Sequence, residues 1–150
     1  MTTIVATREA IGADTLVVVD GQAPYHTKKV MAHKNMLYGA AGDGGDCTRI
    51  MEWAKRGFDM ESKPKFRAKP GTDDEAVTIM VNKDGIFIMM SSDLFPEQID
   101  APFYAIGSGA GAALGAMEMG ATIEQALEIA SKHDVHTGAP FTILRLKEEK

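Results

Sequence analysis

The sequence predicts an α+β fold in which antiparallel sheets are covered by helices. Three observations lead to this prediction. Segments with strand character are joined mainly by short turns, one helix pattern interrupts them early, and two helix patterns precede a final strand. The chain has 150 residues, the size of one domain, and we expect residues 1–150 to form a single domain.

Strand patterns dominate the first 41 residues. Alternating Thr, Ile and Val predict a strand over residues 2–8, and further strands are expected at 28–33 and 36–41. Gly12 and Asp14 predict a turn over 10–14. The β-branched run at 15–19 then predicts a strand buried on both faces, followed by a loop over 22–27.

The middle of the chain combines a helix with a long irregular stretch. Asp46 can cap a helix that runs to about Arg56, because its carboxylate can accept free backbone N–H groups, and Gly57 ends that helix. Residues 58–75 predict a loop, which contains a basic stretch broken by two prolines at 63–71.

The second half predicts a hairpin, a strand, two helices and a last strand. The hairpin joins 76–81 to 86–90 through Asp84-Gly85, a turn that needs positive φ. The other expected elements are a strand at 103–106, helices over 110–119 and from the capping box at Thr122 and Gln125, and a strand at 141–146.

Composition excludes several classes of function. The net charge is -5, from 21 acidic and 16 basic residues, which argues against a basic nucleic-acid binder. The single cysteine, Cys47, excludes an internal disulfide and a Cys-based zinc cluster. His133 and His136 alone do not make a zinc site. Gly107-x-Gly109-x-x-Ala112 formally matches a dinucleotide fingerprint but lacks the βαβ unit around it. We therefore expect no metal and no cofactor.

Targeting and membrane signals are not visible in the sequence. The N-terminus lacks a basic segment followed by an apolar stretch, and the longest uncharged run, between Asp100 and Glu118, is too rich in glycine for a bilayer helix. These features predict a cytoplasmic protein without membrane contact.

The start of the chain offers a candidate nucleophile. Thr2 follows Met1 and is a small residue that permits removal of the initiator methionine. Removal would leave a threonine with a hydroxyl nucleophile and an adjacent amine that can act as its base.

Six short segments together resemble one family. They are Thr2-Thr3-Ile4-Val5, Asp20-Gly21-Gln22, Lys28-Lys29-Val30, Tyr38-Gly39-Ala40-Ala41-Gly42-Asp43, Ala105-Ile106-Gly107-Ser108-Gly109 and Asp134-Val135-His136-Thr137-Gly138. Each is weak singly, but in this order they resemble the proteasome β-subunit and HslV-like family of N-terminal-nucleophile hydrolases. The resemblance extends from Thr2 to Leu146.

The resemblance assigns roles around the nucleophile. Thr2 matches the nucleophile, with its free amine as the proton acceptor. Asp20 matches the aspartate that pairs with a lysine near the nucleophile, and Lys29 best matches that lysine, with Lys28 as the alternative. Gly39 matches the glycine whose N–H serves the oxyanion.

A second group of residues is implied beside the terminal amine. Ser108 matches the serine of the family's Gly-Ser-Gly, and Asp134 and Thr137 match the pair that orients this serine and the amine. Taken locally, Asp134 is also compatible with a helix end, Asp20 with a turn, and Gly107-Ser108-Gly109 with close packing.

The resemblance also implies an architecture, a reaction and partners. The fold would be a four-layer αββα sandwich of two antiparallel sheets, and the reaction would be hydrolysis of peptide bonds in a peptide or unfolded protein. A homo-oligomer and an AAA+ unfoldase would be the partners. The chain lacks the family's second long helix after Arg56, which predicts that one helical layer is reduced.

Two other functions stay open from the sequence. The chain could be a catalytically silent subunit of the same fold, with a structural or interaction role in an assembly. It could also be an amidase acting on a small amide, since this chemistry is not restricted to peptides.

Overall fold

The structure is a computed structural model that describes residues 2–147. Within this range the chain forms eleven strands and three α-helices. In chain order these are β1 (Thr3–Thr7), β2 (Ala10–Ala13), β3 (Leu16–Val17), β4 (Tyr25–His26), β5 (Val30–His33), β6 (Met36–Ala41), α1 (Gly44–Lys55), β7 (Val77–Asn82), β8 (Gly85–Met90), β9 (Glu97–Ile99), β10 (Phe103–Gly107), α2 (Ala110–Glu118), α3 (Ile123–His133) and β11 (Thr142–Arg145). The expected α+β class is confirmed. Met1, whose removal the proposed chemistry requires, lies outside the described residues.

Two antiparallel sheets contain most of the strands. The first has the order β10-β1-β2-β11 and the second has the order β5-β6-β7-β8-β9, while β3 and β4 form a separate short ribbon. Alternation along β1 explains how the sheets pack: Ile4 and Ala6 join an apolar cluster with Ile79 and Ile86 of the second sheet, whereas Val5 faces the helices. The cores therefore lie on both faces of the first sheet.

Helices pack against both sheets. Ala126 and Leu127 of α3 and Ala113 of α2 pack against the first sheet. On the second sheet, Ala54 of α1 packs with Tyr38 and a group of methionines. Among residues 2–147, the stretch between α1 and β7 contains one 3-10 turn at Met60–Ser62 and no α-helix.

The prediction of a turn over residues 10–14 is wrong, because Ala10–Ala13 is a central strand between β1 and β11. The real turn precedes it, where the Thr7 hydroxyl accepts hydrogen bonds from the N–H groups of Glu9 and Ala10. Gly12 is a glycine for a different reason: a Cβ there would collide with Ile123 of α3. Gly12 thus permits close packing of helix on sheet.

The predicted strand over residues 15–19 is also shorter and less buried than expected. Only Leu16 and Val17 are in β3, and Val18 and Val19 are each 39% exposed. The loop predicted over residues 22–27 contains the short strand β4, and β9 was not predicted. Continuous β-branched residues indicate extended backbone, but they do not show whether another layer covers it.

The start of α1 differs by one turn from the prediction. Asp43 is the N-cap, and its carboxylate accepts from the N–H of Asp46 at 3.0 Å. Asp46 itself is fully buried, and its carboxylate accepts from the N–H groups of Arg67 and Ala68 at 2.8 and 2.9 Å and from Arg49 at 3.0 Å. Asp46 therefore fastens the long loop to the helix.

The role assigned to Gly12 can be tested by stability. We expect Gly12→Ala to lower the free energy of unfolding by about 1–3 kcal/mol, because the new methyl group overpacks the contact with Ile123. Gly115→Ala is the matched control, since its Cβ would meet open space in α2, and it should stabilise by about 0.5–1 kcal/mol. Urea unfolding measures both, and a neutral Gly12→Ala variant would contradict the packing role.

Candidate active site

The topology brings four separate segments to the start of β1. Because β1 and β2 are antiparallel, residue 14 at the end of β2 lies beside Thr3. Because β10 is antiparallel to β1 on its other side, Gly107 also pairs with Thr3. The loop that follows α3 contacts Asp14 through Gly138 and Ser108 through Asp134. Lys29 directly precedes β5, an edge strand of the second sheet. Thr2, which is 8% exposed, lies at this junction.

A buried ion pair lies on one side of the junction. The Lys29 ammonium is 3.0 Å from the Asp14 carboxylate, and their side chains are 7% and 0% exposed. Lys29 also donates to the carbonyl oxygen of Leu16 at 2.6 Å. Asp14 accepts two backbone N–H groups as well, from Thr3 at 3.0 Å and from Gly138 at 3.2 Å. Every oxygen of this carboxylate is therefore used.

Burial and the neighbouring carboxylate act in opposite directions on the pKa of Lys29. Burial lowers the pKa of Lys29 below its usual value, because an ammonium loses hydration there, and the Asp14 carboxylate opposes this effect. A buried lysine with a lowered pKa is a feature of catalytic sites.

The structure does not bring Asp20 to Lys29, which corrects the role expected for Asp20. Asp20 lies exposed in the turn after β3, and the acidic partner of Lys29 in the described ion pairs is Asp14. Sequence analysis missed Asp14 because residues 10–14 were interpreted as a turn. Recognising β2 as a strand antiparallel to β1 would have placed Asp14 beside Thr3. Lys28, the alternative lysine, is exposed.

A second polar cluster lies on the other side of the junction. The Ser108 hydroxyl donates to Asp134 Oδ2 at 2.6 Å and lies 3.4 Å from the carbonyl oxygen of Thr2. The Thr137 hydroxyl donates to the same Asp134 oxygen at 2.6 Å, and the His136 N–H donates to Oδ1 at 3.1 Å. The Asp134 carboxylate thus links the hydroxyls of Ser108 and Thr137.

Asp134 is held in its charged form by these donors. Burial raises the pKa of Asp134, but the hydrogen bonds from Ser108, Thr137 and His136 outweigh burial and lower it below the usual value. The acceptor of this cluster is therefore a carboxylate at neutral pH. Ser108 is exposed, so the cluster reaches the surface beside Thr2.

Two glycines make room for this cluster. Gly107 has φ +98°, and a Cβ there would collide with the Thr2 carbonyl. At Gly109, a Cβ would collide with the Thr3 hydroxyl and press on that of Thr137. The Gly-Ser-Gly sequence is therefore required by close approach to the start of β1.

Gly39 does not have the geometry of an oxyanion donor. It lies in the middle of β6, paired with Val30 of β5 and Ile79 of β7, so its N–H belongs to the ladder. A Cβ there would press on the side chains of Ile4 and Val30. Gly39 is thus a packing glycine, which corrects the expected role. Gly42, just beyond the end of β6, lies outside that strand and has φ +129°.

Other chemistry has little support near this junction. Burial, followed by the carboxylates of Asp43 and Asp46, raises the pKa of Cys47 to about 12, so its sulfur is a protonated thiol rather than a nucleophilic thiolate. No group of three or more potential metal ligands occurs within residues 2–147. No helix in the same range is long and apolar enough to cross a membrane.

One cleft lies away from this junction. It has a volume of about 460 Å³ and lies between the start of β6 and the loop after α1, where Met36, Tyr38, Phe58, Met80 and Phe87 line it. Its lining is mainly apolar, whereas polar side chains converge at the start of β1, so we locate the candidate chemistry at Thr2.

Comparison with known proteins places the chain in one class of fold. No family model matches the chain, and no curated protein matches its sequence. Its structure is similar to solved proteasome-like proteins, which confirms at the level of the fold the resemblance expected from the sequence.

Three of these solved structures show the extent of the likeness. HslV from Trypanosoma brucei matches with a TM-score of 0.71 at 19% identity, over 97% of this chain and 99% of the HslV chain. BPH from Thiobacillus denitrificans matches with a TM-score of 0.71 at 18% identity, over 99% of both chains. BPH in complex with epoxomicin matches with a TM-score of 0.70 at 16% identity, over 98% of this chain and 99% of that chain.

The assignment of Asp14 can be tested against that of Asp20. We expect Asp14→Asn to lower the free energy of unfolding by about 3–5 kcal/mol, because the buried Lys29 ammonium loses its counter-charge. Asp20→Asn should change it by less than about 0.5 kcal/mol, as for an exposed turn residue. Urea unfolding at neutral pH measures both variants. Equal effects, or a larger effect at Asp20, would restore the original assignment.

Proposed function

We propose that this chain is a threonine-type N-terminal-nucleophile peptidase of the proteasome β-subunit and HslV-like family. Thr2 is its nucleophile once Met1 has been removed. The observation that carries the proposal is the position of Thr2 between two ordered polar clusters, one built on Asp14 and Lys29 and the other on Ser108, Asp134 and Thr137.

The chemistry follows from what an N-terminal threonine offers. The Thr2 amine accepts the proton of the Thr2 hydroxyl as its oxygen attacks the carbonyl carbon of a peptide bond. The same proton then passes to the leaving amine, and an acyl-enzyme remains. The Thr2 amine next accepts a proton from water as the water oxygen attacks the ester carbon. It returns this proton to the Thr2 oxygen as the ester bond breaks, so the carboxylic acid product leaves and Thr2 is regenerated.

Each cluster has a distinct task in this mechanism. The Lys29 ammonium disfavours protonation of the Thr2 amine by charge repulsion. Asp14 holds Lys29 in place. Ser108, fixed by Asp134, lies at the Thr2 carbonyl and positions the terminal residue. We assign no role in the reaction to Asp20 or Gly39.

The finer features expected from the resemblance belong to the same proposal. We propose one domain over residues 1–150 with a four-layer αββα arrangement, in which the helical layer on the second sheet is reduced to α1. The absence of an α-helix between α1 and β7 in the described chain supports this reduction. The substrate would be a peptide or unfolded protein, the chain would form a homo-oligomer, and an AAA+ unfoldase is a possible partner.

The test is intact-mass spectrometry of the protein from its native source, with and without epoxomicin. An epoxyketone carries two electrophilic carbons that match the hydroxyl and amine of an N-terminal threonine. We expect loss of Met1, a single adduct on Thr2, and no adduct in Thr2→Ala. Lys29→Met should slow adduct formation by about 100-fold or more.

Cys47→Ser is the matched control, because Cys47 is the only cysteine in the chain and must not be the site of modification. Its adduct should be unchanged. A protein that retains Met1 and forms no adduct would contradict the proposal and indicate a catalytically silent subunit. Cleavage of small amides but not of peptides by an adduct-forming protein would replace the peptidase with an amidase.

A further inference from the structure

Thr3 contacts both polar clusters of the candidate active site. Its side chain is completely buried. Its N–H donates to Asp14 Oδ1 at 3.0 Å, the same oxygen that Lys29 approaches. Its hydroxyl lies 2.7 Å from the hydroxyl of Thr137. The residue next to the candidate nucleophile is thus anchored on two sides.

The direction of the hydroxyl contact follows from proton counting. The Thr137 hydroxyl has one proton, and it donates that proton to Asp134 Oδ2 at 2.6 Å. Thr137 can therefore only accept at its contact with Thr3, so Thr3 is the donor. The result is a continuous chain of donors from Thr3 through Thr137 to Asp134, which also accepts from Ser108.

This chain of hydroxyls runs from the interior to the surface. Thr3 is 0% exposed and Thr137 is 4% exposed, whereas Ser108 is exposed beside the Thr2 carbonyl. In a buried setting each donor polarises the next, so the Thr3 hydroxyl strengthens the bond from Thr137 to Asp134. The space for the Thr3 and Thr137 hydroxyls depends on the absence of a Cβ at Gly109.

We propose that Thr3 is a positioning residue for Thr2: its hydroxyl orders Thr137, Asp134 and Ser108, and its N–H fixes the start of β1 to Asp14. This inference rests on the proposed function of Thr2. One peptide unit links the two threonines, so a shift of Thr3 moves the nucleophile and its amine with it.

The chain contains a matched control for a buried threonine. Thr78, in β7 of the second sheet, is also 0% exposed, and its hydroxyl has no hydrogen-bond partner among the described residues. Thr3→Val and Thr78→Val make the same chemical change at equal burial. Only the first removes a donor from the cluster, and Thr3→Ser restores that donor.

The first measurement needs no catalysis. The carboxyl ¹³C signal of Asp134 is titrated by NMR in the wild type and the three variants. We expect Thr3→Val to raise the pKa of Asp134, because Thr137 becomes a weaker donor to the charged form. Thr3→Ser and Thr78→Val should leave it unchanged. His136 and Lys29, the ionisable groups that interact electrostatically with Asp134, are retained in every protein.

The second measurement is the rate of epoxomicin adduct formation at increasing inhibitor concentration. We expect Thr3→Val to lower the maximal rate by about 10- to 100-fold, as for a misplaced reacting group, with little change in the half-saturating concentration. Thr3→Ser should recover most of the rate, and Thr78→Val should keep all of it. Should Thr3→Val fail to fold, Thr3→Cys replaces it, since a thiol is a weak donor.

Each outcome decides a separate part of the inference. An unchanged Asp134 pKa in Thr3→Val overturns the chain of donors. A raised pKa with an unchanged adduct rate overturns the positioning role. A wild type that never forms an adduct overturns the proposed function, and the positioning of a nucleophile with it, while the titration still decides whether the donor chain exists.

Discussion

The Asp14–Lys29 ion pair is the interaction on which the arrangement of the site depends. It joins the end of β2 in the first sheet to the residue before β5 in the second sheet. The Asp14 carboxylate also accepts hydrogen bonds from the N–H groups of Thr3 and Gly138. Desolvation makes a buried ion pair a weak source of stability, but the loss of either partner leaves an uncompensated charge. The pair therefore specifies how the elements meet, whereas the apolar clusters supply the folding energy.

The second polar cluster extends the same principle to the segment after α3. Asp134 accepts from two hydroxyls and a backbone N–H, and these hydrogen-bond donors compensate its charge. Two carboxylates therefore flank the start of β1. Asp14 is neutralised by Lys29, whereas Asp134 accepts hydrogen bonds from hydroxyl groups. An amine placed between them meets both a repelling ammonium and an attracting carboxylate.

Local sequence patterns predicted the elements whose stability is local. The hairpin with its glycine at positive φ (Gly85), the capping box at Thr122 and the helix end at Gly57 are all present, because each depends on backbone conformation within a few residues. The errors fall where tertiary packing decides. Gly12 has the composition of a turn residue, but it is glycine because α3 approaches β2. Asp20 stands in a turn sequence that resembles the family, while the ion pair is made by Asp14, whose role appears only once β2 pairs with β1.

The difference between local interactions and tertiary packing also explains which site residues could be predicted from the sequence. Ser108, Asp134 and Thr137 were found because a resemblance fixes their order, and chain folding then brings them within hydrogen-bond distance. Thr3 was missed because a threonine in a β-strand is ordinary, and its function depends on which side of the sheet it faces. Alternation directs Thr3 and Val5 towards the helices, and Ile4 towards the other sheet. A polar side chain on the helix-facing side would be costly without a partner, and Thr137 supplies one. Thr3, the buried residue next to the candidate nucleophile, thus connects the polar residues around it into one network.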